Sequence, residues 1–423
     1  MFATLANAWK IIELRKKILF TLLLLVIYRI GAHIPTPSFN PAAVSGIFNS
    51  STDLLGFLNV MSGGALGNMS LFALGVGPYI TSSIIIQLLT MVIPSWEEMQ
   101  KEGGQEVQRK FQEYTRYGTV VLAMLQGYAT AYGLNAQYPG TVLNPSMATY
   151  SLIAISWTAG AVLLMWLGEY MSDRGVGSGI SIIIYAGIIS RLPSAVISII
   201  QSMMSGETAF WQPILLIIAA AATIAGVVFI TEGVRRIPVQ YAKRTVGRRV
   251  YGGQATHIPF KVNQAGVLPV IFASSLLMFP GTILSFINQN WAASFNEAFK
   301  WGSFWHTVVY LLLILFFSYF YTAMQFNPVD VSKNMQKNGG FVPGIRPGRP
   351  TSDYLTRIMD RLTLTGAIFL CGLVVLPNLL MVLTGIESGF GGTAILIAVG
   401  VALETMKQIE SQVTERWYTG FLG

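Results

Sequence analysis

The chain has 423 residues, of which 53% are hydrophobic and only 11% are charged. Soluble domains carry about 25% charged residues, so this composition excludes a purely soluble chain and indicates that a lipid bilayer surrounds most of the protein. The formal net charge of +8 predicts contact with an acidic surface, which a lipid headgroup, a nucleic acid or a protein could supply. The single cysteine, Cys371, excludes an internal disulfide and a cysteine-based metal site.

Apolar segments long enough to cross a bilayer recur along the chain. A helix needs about 20 apolar residues to span the hydrocarbon core. Ten segments have this character, near residues 18–34, 70–93, 115–134, 150–171, 180–200, 213–232, 265–287, 305–325, 363–383 and 392–412. The segment 57–70 is apolar but short and rich in glycine, which predicts a half-helix or a re-entrant piece just before the second span.

Lysine and arginine alternate strongly between the loops. They are concentrated before the first span and after the second, sixth and eighth spans, whereas Lys300 is the only one in the loops 35–69, 135–149, 201–212, 288–304 and 384–391. Basic residues near spans stay on the cytoplasmic side. The pattern therefore predicts a multi-pass membrane protein with both termini in the cytoplasm.

Ten spans divide into two halves of five, predicted as residues 1–205 and 206–423, and an odd number of spans per half inverts the second half in the membrane. The pattern G-V-x-P-x-I-x-x-S occurs at 75–83 and at 266–274, in the second span of each half. This matching position predicts symmetry mates, although so short a pattern also arises by chance. The glycine and proline predict close approach and local bending of the helices, and ordinary helix packing explains them equally well.

Residue patterns for catalysis or ion coupling are scarce. The three histidines, His33, His257 and His306, lack metal-ligand spacing, and there is no nucleotide-binding phosphate loop. Acidic residues at mid-span, which ion-coupled transporters use, are almost missing. Arg29 and Arg191 lie within spans and are interpreted as snorkelling or packing residues. The sequence therefore predicts neither an enzyme nor a bound metal or cofactor.

Branched apolar residues recur at helical spacing inside the spans. Ile80 and Ile84 are four residues apart, as are Ile184 and Ile188, so each pair shares a helix face. A ring of such side chains could form a constriction that excludes water and ions by dewetting. The alternative is that these isoleucines only pack against neighbouring helices or face lipid.

Several segments together resemble the SecY family of protein-export channel subunits. They read SGGALGNMSLFALGVGPYITSSIIIQLL, YTRYGT, MWLGEYMSDRGVGSGISIIIYAGI, RRIPVQYAKRTVGRRVYGGQATHIPFKVNQAGVLPVIFASS, FNPVDVSKNMQKNGGFVPGIRPG and RLTLTGAIF. The resemblance covers nearly the whole chain. It implies an all-α membrane protein whose ten helices form two inverted five-helix halves around an hourglass pore, with a short plug half-helix. It also implies a hinge near 201–212 and a lateral gate between the second and third spans on one side and the seventh and eighth on the other.

The resemblance assigns roles to particular residues. The implied pore ring consists of Ile80, Ile84, Ile184, Ile188, Ile271 and Ile397. The implied plug is Phe57, Leu58, Asn59, Val60, Met61, Ser62, Gly63, Gly64, Ala65, Leu66, Gly67 and Asn68. The implied lateral gate includes Ser83, Gln87, Ser274 and Ser275.

The large basic loops, 233–264 and 326–362, carry the implied partner contacts. Arg248 and Arg249 lie in the stretch GRRVY, and Arg346 lies between a glycine-isoleucine pair and a proline in GIRPG. Arginine suits both RNA phosphates and acidic protein clefts. The resemblance implies that these loops receive the SecA ATPase or the ribosome, including ribosomal RNA, and that SecE and SecG are small membrane partners.

The function implied by the resemblance is a passive conduit for unfolded secretory polypeptides, driven by SecA or by the translating ribosome. Apolar segments would leave sideways into membrane lipid, and a signal sequence would open the gate. Two alternatives remain open at the level of sequence. A secondary transporter would also show inverted repeats, and a ribosome receptor without a conduit would explain the basic loops alone.

Overall fold

The computed structural model describes residues 8–40, 54–205, 211–241, 244–246, 249–251, 255–284, 303–384 and 392–419, which are largely helical. In the N-terminal part the long helices are α1 (Ile12–Gly31), α3 (Gly77–Val92), α5 (Gln105–Gln137), α6 (Met147–Arg174) and α7 (Gly179–Met204). Two short helices, α2 (Leu54–Met61) and α4 (Pro94–Glu102), flank α3. In the C-terminal part the helices are α8 (Trp211–Glu232), α9 (Leu268–Leu284), α10 (Phe304–Gln325), α11 (Pro328–Lys337), α12 (Arg349–Thr384) and α13 (Gly392–Thr419).

A long helix overlaps every one of the ten predicted spans. By length and composition, five helices of the described residues are apolar enough to cross a membrane, or six if the bent pair α3–α4 counts as one span. Three of the remaining long helices fall short for local reasons. Helix α1 begins among basic residues, and α3 and α9 have only 16 and 17 residues.

One large apolar core joins the two parts of the chain. Its buried residues come from α1, α3, α6 and α7 on one side and from α8, α9, α10, α12 and α13 on the other. Helix α9 packs against α3 and α5, and α7 packs against α13. The predicted division at residue 205 falls between α7 and α8, and residues 206–210 of the predicted hinge lie outside the described part of the chain.

The second span starts later than predicted and ends where predicted. The helix begins at Gly77 rather than near residue 70, because residues 62–76 form successive turns. It ends at Val92, and the backbone of the next residue, Ile93, is extended (φ −93°, ψ 110°), as expected for a residue that precedes a proline. Helix α4 then starts at Pro94 and leaves at about a right angle, with a bend of 100°.

The repeated pattern starts two equivalent helices. Gly75 and Gly266 have φ angles of +57° and +62°, the left-handed region that glycine adopts without strain. The following residues, Val76 and Val267, accept the first helical hydrogen bonds from the amides of Ile80 and Ile271. A Cβ on Gly266 would meet no atom within 4 Å, so backbone conformation rather than the predicted close approach requires the glycine there.

The two basic loops join in one small folded unit. Strand β1 (Val234–Tyr241) pairs antiparallel with β4 (Ala255–Lys261) on one side and β5 (Gly340–Phe341) on the other. A separate hairpin contains β2 (Arg244–Val246) and β3 (Arg249–Tyr251). The larger sheet packs with α11 and the start of α12 around a core of its own, consisting of Ile237, Val239, Phe260, Met335, Val342, Leu355, Ile358 and Met359.

Candidate functional site

The six isoleucines of the predicted pore ring lie on four helices. Ile80 and Ile84 are on α3, Ile184 and Ile188 on α7, Ile271 on α9, and Ile397 on α13. All six belong to one apolar cluster, and none is more than 4% exposed. We call these six residues the isoleucine collar. Their burial excludes an orientation toward lipid, and a role in sealing a pore stays a prediction.

Two collar residues, Ile80 and Ile271, occupy the same position in the two copies of the repeated pattern. Ile80 and Ile271 each lie four residues after the valine whose carbonyl accepts their amide proton. Both valines, Val76 and Val267, are buried in the same cluster as the collar. The same local signal, a left-handed glycine followed by a buried valine, therefore places one collar residue on each side of the α3–α9 contact.

The predicted plug, residues 57–68, is a helix only in part. Helix α2 covers Leu54–Met61 and packs against α7, so the helix begins earlier than predicted and the glycines lie in the turns that follow it. Those turns are held by side chains. The Asn59 amide oxygen accepts from the Gly67 amide at 2.7 Å, and the Ser62 hydroxyl donates to the Asn59 carbonyl and accepts from Leu66. The side chains of Phe57 and Leu58 lie outside the described residues.

The turn at Ser62, Gly63 and Gly64, which we call the plug turn, is attached to two neighbouring helices. From α1, the Tyr28 hydroxyl donates to the Ser62 carbonyl at 3.1 Å and Arg29 Nη1 donates to the Gly63 carbonyl at 2.7 Å. On α7, Gly187 is so close that a Cβ on Gly63 would lie 2.8 Å from its Cα. The composition of the segment does not predict these contacts. The one signal in the sequence was an arginine inside the first span, for which we predicted only snorkelling or packing.

The predicted gate residues lie on two helices that touch. Ser83 and Gln87, both half-buried on α3, are hydrogen bonded to each other at 3.1 Å. Ser274 and Ser275 are buried on α9, and the Ser274 hydroxyl donates to the carbonyl of Ile271 on its own helix. Helix α3 packs against α9. The two helices that carry the predicted gate residues are therefore in contact in this structure.

Of the three arginines predicted to contact a partner, Arg346 is the one whose side chain the structure describes. Arg346 is exposed on a loop between Gly344 and Gly348, whose φ angles are +82° and +96°. The loop is braced, because the Arg346 carbonyl accepts from the Thr351 hydroxyl at 2.8 Å and the Gly348 carbonyl accepts from Ser332 at 2.6 Å.

The other two arginines of this prediction are less defined. Arg249 is in β3 but its side chain lies outside the described residues, as does the whole of Arg248.

In the part of the chain that the structure describes, no group of three histidine, cysteine, aspartate or glutamate residues could hold a metal ion. The site therefore consists of an apolar collar, a hydrogen-bonded turn beside it and a braced basic loop.

Comparisons with known proteins agree with this architecture. A family model described as SecY matches residues 70–406. The chain is 46% identical over 432 residues to protein translocase subunit SecY of Halalkalibacterium halodurans, and 44% identical over 438 residues to that of Bacillus subtilis, with all of each chain covered in both cases. A solved structure of a protein-conducting channel superposes with a TM-score of 0.68 at 20% identity, covering 93% of this chain and 91% of that one. Sec61 from a canine ribosome-channel complex gives a TM-score of 0.64 with the same identity and coverage. The match along most of the chain and the high identity of the relatives show that the chain belongs to the SecY family.

Proposed function

We propose that this chain forms a protein-conducting channel in the bacterial plasma membrane, with both termini in the cytoplasm. Unfolded secretory polypeptides pass through it across the membrane, and sufficiently apolar segments leave it sideways into lipid. Membership of the SecY family and the shared channel fold support this function. The observation that carries the mechanism is the isoleucine collar, which four helices build inside one core.

The collar is the seal of the closed channel. Six branched apolar side chains at the centre of a bundle leave no polar group to hold water, so a narrow passage between them dewets and blocks ions. Such side chains form no directional bonds. They can therefore separate around a passing polypeptide of any sequence and close again behind it, which a polar constriction with fixed hydrogen bonds could not do.

The plug segment, residues 57–68, completes the closed state. It packs against α7, the helix that carries Ile184 and Ile188, and the plug turn is bonded to α1. A translocating chain would have to displace it. The bonds to Ser62 and Gly63 are few enough for this displacement to be reversible, since one hydrogen bond contributes about 0.5–1.5 kcal/mol net.

The α3–α9 contact is the lateral gate. A signal sequence would open it by binding the open state more tightly than the closed one. Once the gate is open, partitioning follows transfer free energy. Each leucine or isoleucine favours lipid by about 0.3–0.6 kcal/mol, and one arginine at the helix centre costs about 2.5–3.5 kcal/mol.

The channel is passive, and its driving force comes from partners at the cytoplasmic face. The braced loop at Arg346 offers an exposed guanidinium on a rigid base, suited to the acidic surface of SecA or to ribosomal RNA phosphates. A ribosome-bound channel complex among the structural neighbours supports the ribosome as a partner. SecE and SecG are the small membrane subunits expected to accompany the chain.

Ion conductance tests the collar. We expect the double variant Ile184→Ser, Ile188→Ser to raise the resting conductance of the purified complex in planar bilayers, because two hydroxyls hold water in the constriction. The matched control is Ile197→Ser with Ile200→Ser on the same helix, where both side chains are about half exposed (55% and 50%). Equal conductance for the two pairs would contradict the collar assignment.

Crosslinking tests the conduit itself. A cysteine at position 80 should crosslink to a cysteine in a substrate stalled during SecA-driven export, since both lie at the constriction. The control places the cysteine at Val92, which is 74% exposed at the end of the same helix. Crosslinking at neither position during active export would favour a receptor without a conduit.

A further inference from the structure

Two arginines lie beside the plug turn and form no ion pair within the described residues. Arg29 on α1 donates to the Gly63 carbonyl at 2.7 Å. Arg191 on α7 approaches the next residue, since its Nε lies 3.2 Å from the position of a Cβ on Gly64. That Nε is buried and has no hydrogen-bond partner in the described part of the chain. The two guanidinium groups therefore lie beside adjacent residues of the same turn.

Arg191 continues the collar face of α7. It follows Ile188 by three residues and Ile184 by seven, and residues at this spacing share one face of a helix. Its guanidinium group therefore lies about one turn beyond the collar, on the side where the plug turn lies. A chain that has crossed the collar would meet this position next.

A role in holding the plug does not account for both arginines. Tyr28, Arg29 and, at 3.5 Å, the Ser190 hydroxyl already donate hydrogen bonds to the plug turn, whereas the unbonded Nε of Arg191 adds none. Its charge is also unfavourable in the closed state, because the side chain is half-buried and its buried Nε has no hydrogen-bond partner in the described part of the chain. Ionisable residues inside membrane spans are costly and generally mark a transport pathway.

We infer that Arg29 and Arg191 form a charge-selective pair that acts on the translocating polypeptide. This inference rests on the proposed channel function. In the closed state the Gly63 carbonyl partly compensates the charge of Arg29. When the plug turn moves away, that carbonyl leaves with it and both guanidinium groups face the pore. They then attract acidic side chains of the passing chain and repel basic ones.

The test compares three export reporters that differ only in one eight-residue segment of lysine, glutamine or glutamate. The complex with SecE and SecG is placed in vesicles without an imposed membrane potential and driven by SecA and ATP. We expect the glutamate reporter to cross about tenfold faster than the lysine reporter, the size of effect that a charge gives across several ångströms of partly hydrated protein. In the Arg29→Gln, Arg191→Gln variant this ratio should fall close to one.

A charge-conserving variant separates selectivity from plug attachment. Arg191→Lys should keep most of the charge dependence. Should the double glutamine variant fail to assemble, the unaltered chain still provides a test, because raising the salt from about 50 mM to about 500 mM should lower the ratio by screening. A ratio that stays constant with salt, or in the double glutamine variant, would overturn the inference.

The reporters also separate this inference from the proposed function. If all three change by one common factor in the double glutamine variant, the arginines act only on the plug and the charge-selective pair is wrong. If the glutamine reporter does not cross with the unaltered chain, it is the channel function that fails.

Discussion

A valine at position 187 should loosen the plug. Gly187 lies on α7 directly against the plug turn, and a Cβ there would be 3.1 Å from the Met61 carbonyl and 3.2 Å from the Gly63 amide. Ordinary contacts begin at 3.4 Å, and both neighbours are backbone atoms that cannot rotate away. The plug turn therefore has to shift, which strains its bonds with Tyr28 and Arg29.

The magnitude follows from the cost of overpacking. Extra methyl groups in a packed core destabilise it by about 1–3 kcal/mol, and here the loss falls on the closed state alone, because the clash disappears once the plug turn leaves. A free-energy difference of this size changes an equilibrium about 5- to 150-fold. We therefore expect the Gly187→Val channel to open spontaneously at least about five times as often as the unaltered one.

Single-channel conductance of the purified complex in planar bilayers measures this opening. The matched control is Gly372→Val on α12, another helical glycine, where an added Cβ meets nothing within 4 Å. The control should conduct like the unaltered chain. An opening frequency for Gly187→Val equal to that of Gly372→Val would refute the reasoning, because it would mean that the plug turn does not rest on α7 in the closed channel.

Three further predictions concern the helix start and the basic loops. Gly266→Ala should destabilise the protein by about 1–2 kcal/mol, since alanine is strained in the left-handed backbone conformation. The control Gly372→Ala, on α12 with nothing within 4 Å of the added Cβ, should not lower the midpoint of thermal unfolding. Gly340→Val should separate β5 from β1, because the added Cβ would lie 2.8 Å from the Tyr241 ring. We expect proteases to cleave the cytoplasmic loops of this variant faster, and an unchanged cleavage rate would contradict the prediction. Arg346→Ala should weaken SecA binding to vesicles more at low than at high salt, and an affinity loss independent of salt would argue against a charge contact.

The predictions from sequence were strongest where the signal is local. Apolar segments located the ten long helices of the described residues, because crossing a bilayer requires a continuous apolar stretch within one segment. The structure buries the six predicted collar residues in one core, although that set came from the family resemblance. For Ile80 alone, lipid contact and core packing were equally compatible with the sequence, since the same side chain suits both environments.

The sequence did not predict how distant segments meet. The predicted plug segment, 57–68, contains only the last part of a helix that covers 54–61, since glycine-rich composition does not show which turns neighbouring helices hold in place. The pairing of β1 with β5 joins residues about 100 positions apart, and β5 is too short to be predicted as a strand. Arg29 was predicted to snorkel or pack, yet it donates to the plug turn, because its partner comes from another part of the chain.

The amino-acid sequence by itself determined the membrane environment, the number of long helices and the basic loops, because each depends on the composition of a single stretch. Only the tertiary structure decided that four helices bring their isoleucines into one core and that a tyrosine and an arginine of α1 hold the plug turn. Those contacts arise from the packing of separate helices, which no local pattern of residues contains.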